Sequence, residues 1–347
     1  MFSRVDEIIR EGLEKRVFSG AAVGIAQSGR TLYTGYWGKT NFDADAVPVH
    51  AGTLFDLASV TKIVATTAVA LRFLDRGLLR LDDRVADFFP EASTTREITI
   101  RQLLTHTSGE PPHFMLESEI QDPEGLRELL LHRPLAAPPG EVEAYSCMGY
   151  MLLGEILQSL SGLTLDRLVE REVTGPLGLR HTGYGPVAGP DVAATRDLAT
   201  GTRLDGIVHD ENARFQGGVS ANAGLFSCVG DLLDFAKVIS GAWAGRQNGY
   251  LSRAVLRAAT RNYTPGLAED RGLGFFLGSN RGSSLGDLCG DEAFGHTGFT
   301  GPSLLWVPEM ELAVVFLCNR VLSPQDAAAT VRLRACLHNA IIGALER

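Results

Sequence analysis

The chain has 347 residues, of which 45% are hydrophobic and 21% charged, with a formal net charge of −9. That is ample apolar content for one large domain or two closely packed lobes, and the excess of acid offers no electrostatic footprint for nucleic acid. The five cysteines, Cys147, Cys228, Cys289, Cys318 and Cys336, are odd in number and never spaced C-x-x-C, so they signal neither a disulfide framework nor a zinc site, and reduced thiols are expected.

The N-terminal stretch places Val5, Ile8, Ile9 and Leu13 at helical spacing among charges and has no unbroken apolar core of a signal peptide. As written, this reads as a cytoplasmic chain; a trimmed one would be compatible with an extracytoplasmic location. No segment reaches the roughly 18 unbroken apolar residues that a membrane span needs. Next, "AAVGIAQSGRTLYTGYWG" reads as a hairpin turning at Ser28-Gly29-Arg30.

The following stretch, "LASVTKIVATTAVAL", holds one charge, Lys62, three residues after Ser59. If a helix begins near Ala58, the two side chains share a face about 5–6 Å apart at Cβ, and the helix N-terminus adds a partial positive potential at Ser59. Burial would lower the lysine pKa and free a neutral amine to take the serine proton. By itself the four-residue pattern decides little, because a capping Ser59 and an outward-reaching Lys62 explain it as well.

Helical periods and Pro/Gly-rich loops dominate from about residue 56 to 220. Within them, "PPGEVEAYSCMGYMLLGEIL" sets Tyr145-Ser146 ahead of an apolar helix, with Tyr145 on a loop facing a cleft. "LLTHTSG" reads as a structural loop beside that cleft, carrying His106, and "GIVHDENARFQGG" reads as a solvated loop whose alternative is a pocket mouth shaped by Asp210, Glu211 and Asn212. "GSSLG" at 282–286 matches the G-x-S-x-G nucleophile pattern but lacks the preceding buried strand and following helix, so Ser284 reads as an ordinary loop residue. In "FGHTGFTGPSLLWVP", His296-Thr297-Gly298 falls on a strand whose flanking glycines let a ligand approach the backbone. Two strands joined by Pro308-Glu309-Met310-Glu311 and an amphipathic helix follow. Strands at both ends around a helical middle imply an antiparallel sheet closed by both ends, an α+β fold.

Ser59-Val60-Thr61-Lys62, Tyr145-Ser146-Cys147 and His296-Thr297-Gly298 together resemble the S-x-x-K, Y-x-N and K/H-T-G elements of the serine β-lactamase and D-Ala-D-Ala carboxypeptidase superfamily, in its class C-like branch. Nearly the whole chain shares the likeness, and "GIVHDENARFQGG" resembles the penicillin-binding protein 4B type. The resemblance implies the β-lactamase/DD-peptidase-like fold: a sheet flanked by helices with an inserted helical lobe. Residues 1–55 and 221–347 would form the sheet lobe, 56–220 the helical lobe, and the active site the groove between them. It also implies an acyl-enzyme on Ser59, with Lys62 and Tyr145 sharing the base role and the N–H groups of Ser59 and Phe299 forming the oxyanion hole.

Cys147, His296, Thr297 and Gly298 would bind substrate. Cys147 departs from the usual asparagine, which puts the subsite for an acylamino group in doubt and shifts the expectation towards esters or unusual acyl groups; simple packing of Cys147 is the other reading. His296 is expected to be partly charged at neutral pH and so to recognise a carboxylate weakly or in a pH-dependent way. The expected function is a serine hydrolase acting on D-amino-acid peptides, amides or β-lactams. A carboxylesterase is the first alternative, and a penicillin-binding or sensor module with little turnover the second. The expected partner is a small-molecule or peptide substrate, without nucleic acid, cofactor or metal; oligomeric state stays open.

Overall fold

The computed structural model describes residues 1–347 apart from 113, 248 and 281–283. Its centre is a six-stranded antiparallel sheet built from β1 (Gly20–Gln27), β2 (Arg30–Gly38), β3 (Phe276–Leu277), β4 (Phe294–Thr297), β5 (Ser303–Val307) and β6 (Leu312–Cys318), in the order β2-β1-β6-β5-β4-β3. Both expected hairpins form: β1 pairs with β2 and β5 with β6, while β1 also pairs with β6 along Ala21↔Cys318 to Gln27↔Leu312.

The period of two along β1 and β6 sorts their side chains between two cores. Ala21, Val23, Ile25, Val314 and Phe316 face one layer, where α1 (Ser3–Glu14) and α5 (Ala327–Leu345) bury Ile8, Ile9, Leu337 and Ile341. Ala22, Ala26, Val315 and Leu317 face the other, under α4 (Val229–Trp243). Gly24 permits that contact, since a Cβ there would lie 2.7 Å from the side chain of Leu233. Trp306 is 1% exposed, stacks on Phe294 and donates from Nε1 to Ala236 O at 3.0 Å. Burying such a side chain stabilises the fold by about 3 kcal/mol, and the hydrogen bond removes the cost of an orphaned indole N–H.

The helical part packs α2 (Ala68–Asp75) and α3 (Cys147–Ser161) into the same large core through Ala68, Leu71, Met148, Leu152 and Ile156. Ser146 caps α3 by accepting from Gly149 N, and Gly162, with φ of 67°, ends it. Asn319 ties the end of the sheet to its surroundings. Its Oδ1 accepts from the N–H groups of Ser19 and Gly20, and its Nδ2 donates to Ser19 Oγ, Thr40 O and Ala194 O. Among the described residues, no helix is long and apolar enough to cross a membrane.

Candidate active site

The turn that carries Ser59 grows out of a short strand, Phe55–Asp56, paired with Leu225–Ser227. The chain then reverses at Ala58, which adopts φ of 43° although it is not glycine. A left-handed alanine costs on the order of 1 kcal/mol and must be held from outside. Asp56 does so. Its buried carboxylate accepts from Ala58 N at 2.8 Å and from His209 N at 2.7 Å, and burial pushes its pKa up to about 6.

Instead of one α-helix from Ala58, the chain makes a 3₁₀ turn (Ala58–Val60) and a π-type turn (Lys62–Thr67) before α2. Thr66 Oγ1 donates to Ala221 O at 2.7 Å and Thr67 Oγ1 meets Tyr150 OH at 3.0 Å, so this irregular segment is pinned by side chains on its buried face. The result leaves Ser59 partly exposed and Lys62 wholly buried.

The Lys62 ammonium finds an acceptor for each of its protons: Ser59 Oγ at 3.2 Å, Cys147 Sγ at 3.5 Å and Asn222 O at 3.0 Å. Burial disfavours the charge on Lys62, while Cys147 and Tyr145, where they carry a negative charge, raise its pKa. The amine also sits 4.9 Å from the centre of the Tyr145 ring and 5.5 Å from that of Tyr150.

Tyr145 is partly buried, and burial raises its pKa, against the pull of Lys62 and of hydrogen bonding to Ser59. Burial likewise raises the Cys147 thiol, so both side chains are neutral around pH 7. The loop at 106–112 holds their backbone from behind. His106 Nδ1 accepts from Ser146 N at 3.1 Å, His106 O from Ala144 N at 2.9 Å, and Pro111 O from Ser146 Oγ at 2.8 Å. The His106 ring packs 4.4 Å from that of Tyr145 and burial keeps its pKa well below 6.5. In the same loop Glu110 is 1% exposed with neither carboxyl oxygen hydrogen-bonded, and burial lifts its pKa to about 7.

Across the cleft, β4 delivers His296 and Thr297. His296 is 1% exposed; its Nδ1 donates to Thr297 O at 2.8 Å, which leaves Nε2 as an unpartnered acceptor. Burial, with Lys62 next in size, pushes its pKa well below 6.5. Burial and Lys62 thus both favour an uncharged ring at neutral pH, where the sequence leads to the expectation of a partly charged, pH-sensitive one.

Gly298 lets strand and serine turn touch, because a Cβ there would lie 2.4 Å from Leu57 O. Thr300 Oγ1 adds a bond to Asp56 O at 2.7 Å. The turn's own backbone bonds run from Gly298 N to Pro302 O and from Gly301 N to Gly298 O, leaving the Phe299 N–H outside them. The Phe299 side chain is 51% exposed.

The structure thus brings Ser59, Lys62, Tyr145 and Cys147 together and sets His296, Thr297, Gly298 and Phe299 alongside. Asn222, whose backbone carbonyl receives Lys62, was missed because a main-chain acceptor leaves no mark in the side-chain pattern. Arg271 was missed as well. It is buried beside Tyr145 and Phe276, 5.6 and 4.2 Å from their ring centres, and is paired with Glu143 and Glu269 at 2.9 and 2.6 Å. The solvated reading of 206–218 fails for Asn212, which is buried and braces Leu116 N and Phe114 O, and Asp210 caps the helix Glu211–Phe215. Ser284 accepts from Arg334 at 3.2 Å, whereas Gly282 and Ser283 of that pattern lie outside the described residues. No group of three or more His, Cys, Asp or Glu among the described residues could hold a metal ion.

A family model described as "Beta-lactamase" matches residues 5–339. A protein of Escherichia coli (strain K12) named "Putative D-alanyl-D-alanine carboxypeptidase" is 32% identical over 343 residues, covering 86% of this chain and 78% of that one. One of the same name in Salmonella typhimurium (strain LT2) is 31% identical over 319 residues, covering 80% and 72%. Among solved structures, the octameric penicillin-binding protein homologue from Pyrococcus abyssi superposes with a TM-score of 0.78 at 23% identity, over 98% of this chain and 77% of that one. EstCE1, a hydrolase with promiscuous acyltransferase activity, does so with 0.76 at 21% identity, over 98% of each. These two likenesses speak for the fold.

Proposed function

The chain belongs to the β-lactamase family, and on that premise we propose that it forms an acyl-enzyme on Ser59 and hydrolyses D-amino-acid peptides, their amides or β-lactams. The observation that carries this reading is the buried Lys62 amine 3.2 Å from Ser59 Oγ, a charge with no structural need to be where it is. In this reading the cleft lies between a sheet lobe of residues 1–55 and 221–347 and a helical lobe of 56–220.

Ser59 Oγ attacks the acyl carbon while its proton passes to whichever of Lys62 and Tyr145 is unprotonated. The oxyanion settles on the N–H groups of Ser59 and Phe299, each such donor contributing about 3 kcal/mol in the transition state. Tyr145 then protonates the leaving amine or alcohol as the carbon–heteroatom bond breaks, and later takes a proton from the water that hydrolyses the ester. Because Lys62 and Tyr145 both hold their protons at rest, the reactive form has lost one proton, and acylation should quicken as pH rises.

A second reading, a carboxylesterase, is favoured by two observations. The thiol of Cys147 grips an acylamino group poorly, and a neutral His296 offers a substrate carboxylate no charge. Intact-mass spectrometry against β-lactams, D-Ala-D-Ala peptides and p-nitrophenyl acetate, with Ser59→Ala as control, separates these. A β-lactam adduct lost in the variant, with peptide turnover, supports the first reading, and the same adduct without turnover indicates a penicillin-binding sensor. Ester turnover alone supports the second. No difference from Ser59→Ala in any arm overturns the acyl-enzyme.

A further inference from the structure

The turn at 298–302 is shaped from behind by two arginines that the mechanism above does not use. Arg334, on α5, is 4% exposed, and among the described residues no carboxylate pairs with it. Its Nη2 donates to Gly301 O at 2.8 Å and to Pro302 O at 3.5 Å, and its Nη1 to Ser284 Oγ at 3.2 Å. Arg320, just beyond β6, donates from Nε to Phe299 O at 2.6 Å and from its backbone N–H to Thr300 O at 2.9 Å. Its guanidinium also lies 4.4 Å over the Phe299 ring.

A guanidinium buried without an acid is costly, so its partners, here the carbonyls of Gly301 and Pro302, have to repay the desolvation. With Arg320 included, every peptide from Phe299 to Pro302 has its carbonyl drawn towards an arginine or its backbone. Gly301 tightens the arrangement: its φ is 127°, and a Cβ there would lie 2.3 Å from Cys318 Sγ. The Gly298 carbonyl accepts from Gly301 N, so the peptide plane that ends in the Phe299 N–H is held at its carbonyl end. The Phe299 N–H, outside the turn's own backbone bonds, sits next to the Ser59 turn, which Gly298 and Thr300 touch.

We propose that Arg320 and Arg334 are positioning residues for the oxyanion. They hold the carbonyls of the turn away from the cleft so that the Phe299 N–H meets the reacting oxygen, and their positive charge biases the turn towards an anion. The inference rests on the acyl-enzyme reading and deepens it.

The test compares Arg320→Ala, Arg320→Lys, Arg334→Lys and Arg334→Met with the unaltered enzyme, by kcat and KM on a p-nitrophenyl ester, by inhibition with phenylboronic acid, and by thermal unfolding. The boronate is the decisive probe, since its tetrahedral adduct on serine places an oxygen where the oxyanion forms. The expected result is a fall in kcat of roughly 10- to 100-fold with KM within about twofold, a parallel loss of boronate affinity, and partial rescue in Arg320→Lys relative to Arg320→Ala. Should the Arg334 variants not fold, the half-exposed Arg320 carries the test. Folded variants with unchanged kcat, or a lowered kcat with unchanged boronate affinity, overturn the proposal alone. Turnover by the unaltered enzyme that is indifferent to Ser59→Ala overturns both it and the reading beneath it.

Discussion

The two walls of the cleft handle charge in opposite ways. The helical wall buries an ammonium, Lys62, and spends its protons on Ser59, Cys147 and Asn222 within the cleft. The strand wall presents an uncharged His296, whose one proton is committed to Thr297 O, and keeps its cations, Arg320 and Arg334, behind the backbone. On the proposed mechanism, proton transfer thus belongs to one wall and geometry to the other.

The largest break in this division should come from Lys62→Met. It removes the charge while keeping the volume, and acylation of Ser59 should fall roughly 1,000-fold. Thermal unfolding should show only a modest loss of stability, because Met fills the same space while the Asn222 carbonyl loses its donor. A stability loss with activity retained would mean that Lys62 is merely structural.

Gly298→Ala attacks the other wall. The new Cβ, 2.4 Å from Leu57 O, must push strand and serine turn apart, costing about 1–3 kcal/mol of stability. A displacement of that kind should lower kcat roughly 100-fold with substrate binding less affected. Steady-state kinetics beside denaturant unfolding checks both figures.

Glu110→Gln probes the loop that backs the helical wall. The carboxyl's pKa lies near 7 in the folded protein against an ordinary 4.5, so the folded state binds its proton more tightly than the unfolded one. Its contribution is complete at pH below 4.5 and is lost as pH rises through 7. The variant should therefore be more stable than the parent at pH 8, by about 2–3 kcal/mol, and nearly equal to it at pH 4. Urea unfolding at the two pH values would expose an error of sign.

The smallest effect expected concerns His296. With its pKa held well below 6.5, kcat/KM should show no inflection between pH 6 and 7 attributable to this ring, and His296→Gln should leave the shape of the profile intact. An inflection near pH 6.5 that the variant abolishes would restore a charged histidine and erase the contrast between the walls.

Much of this was legible beforehand because side-chain chemistry and period carry it. The alternation in "AAVGIAQ" and "LAVVFLC" marks β1 and β6, and the apolar run after Tyr145 marks α3. The lone charge of Lys62 and the glycines around His296 mark the two walls. What stayed hidden depends on groups without a signature: the Asn222 carbonyl, the left-handed Ala58 held by Asp56, and the carbonyls gripped by Arg320 and Arg334. The charge states of Lys62 and His296 are hard to read from sequence for a related reason. Burial was foreseeable, but the neighbours that decide its outcome are brought in from distant parts of the chain.

The pairing of β1 with β6 also sets a schedule for synthesis. Ser19 and Asn319, which meet at the end of that pairing, are 300 residues apart, so β1 has only its β2 hairpin partner until the last strand has been made. Ser59 is translated early and the turn that faces it late. On the acyl-enzyme reading, a nascent chain would carry its nucleophile without the oxyanion hole until the sheet closes.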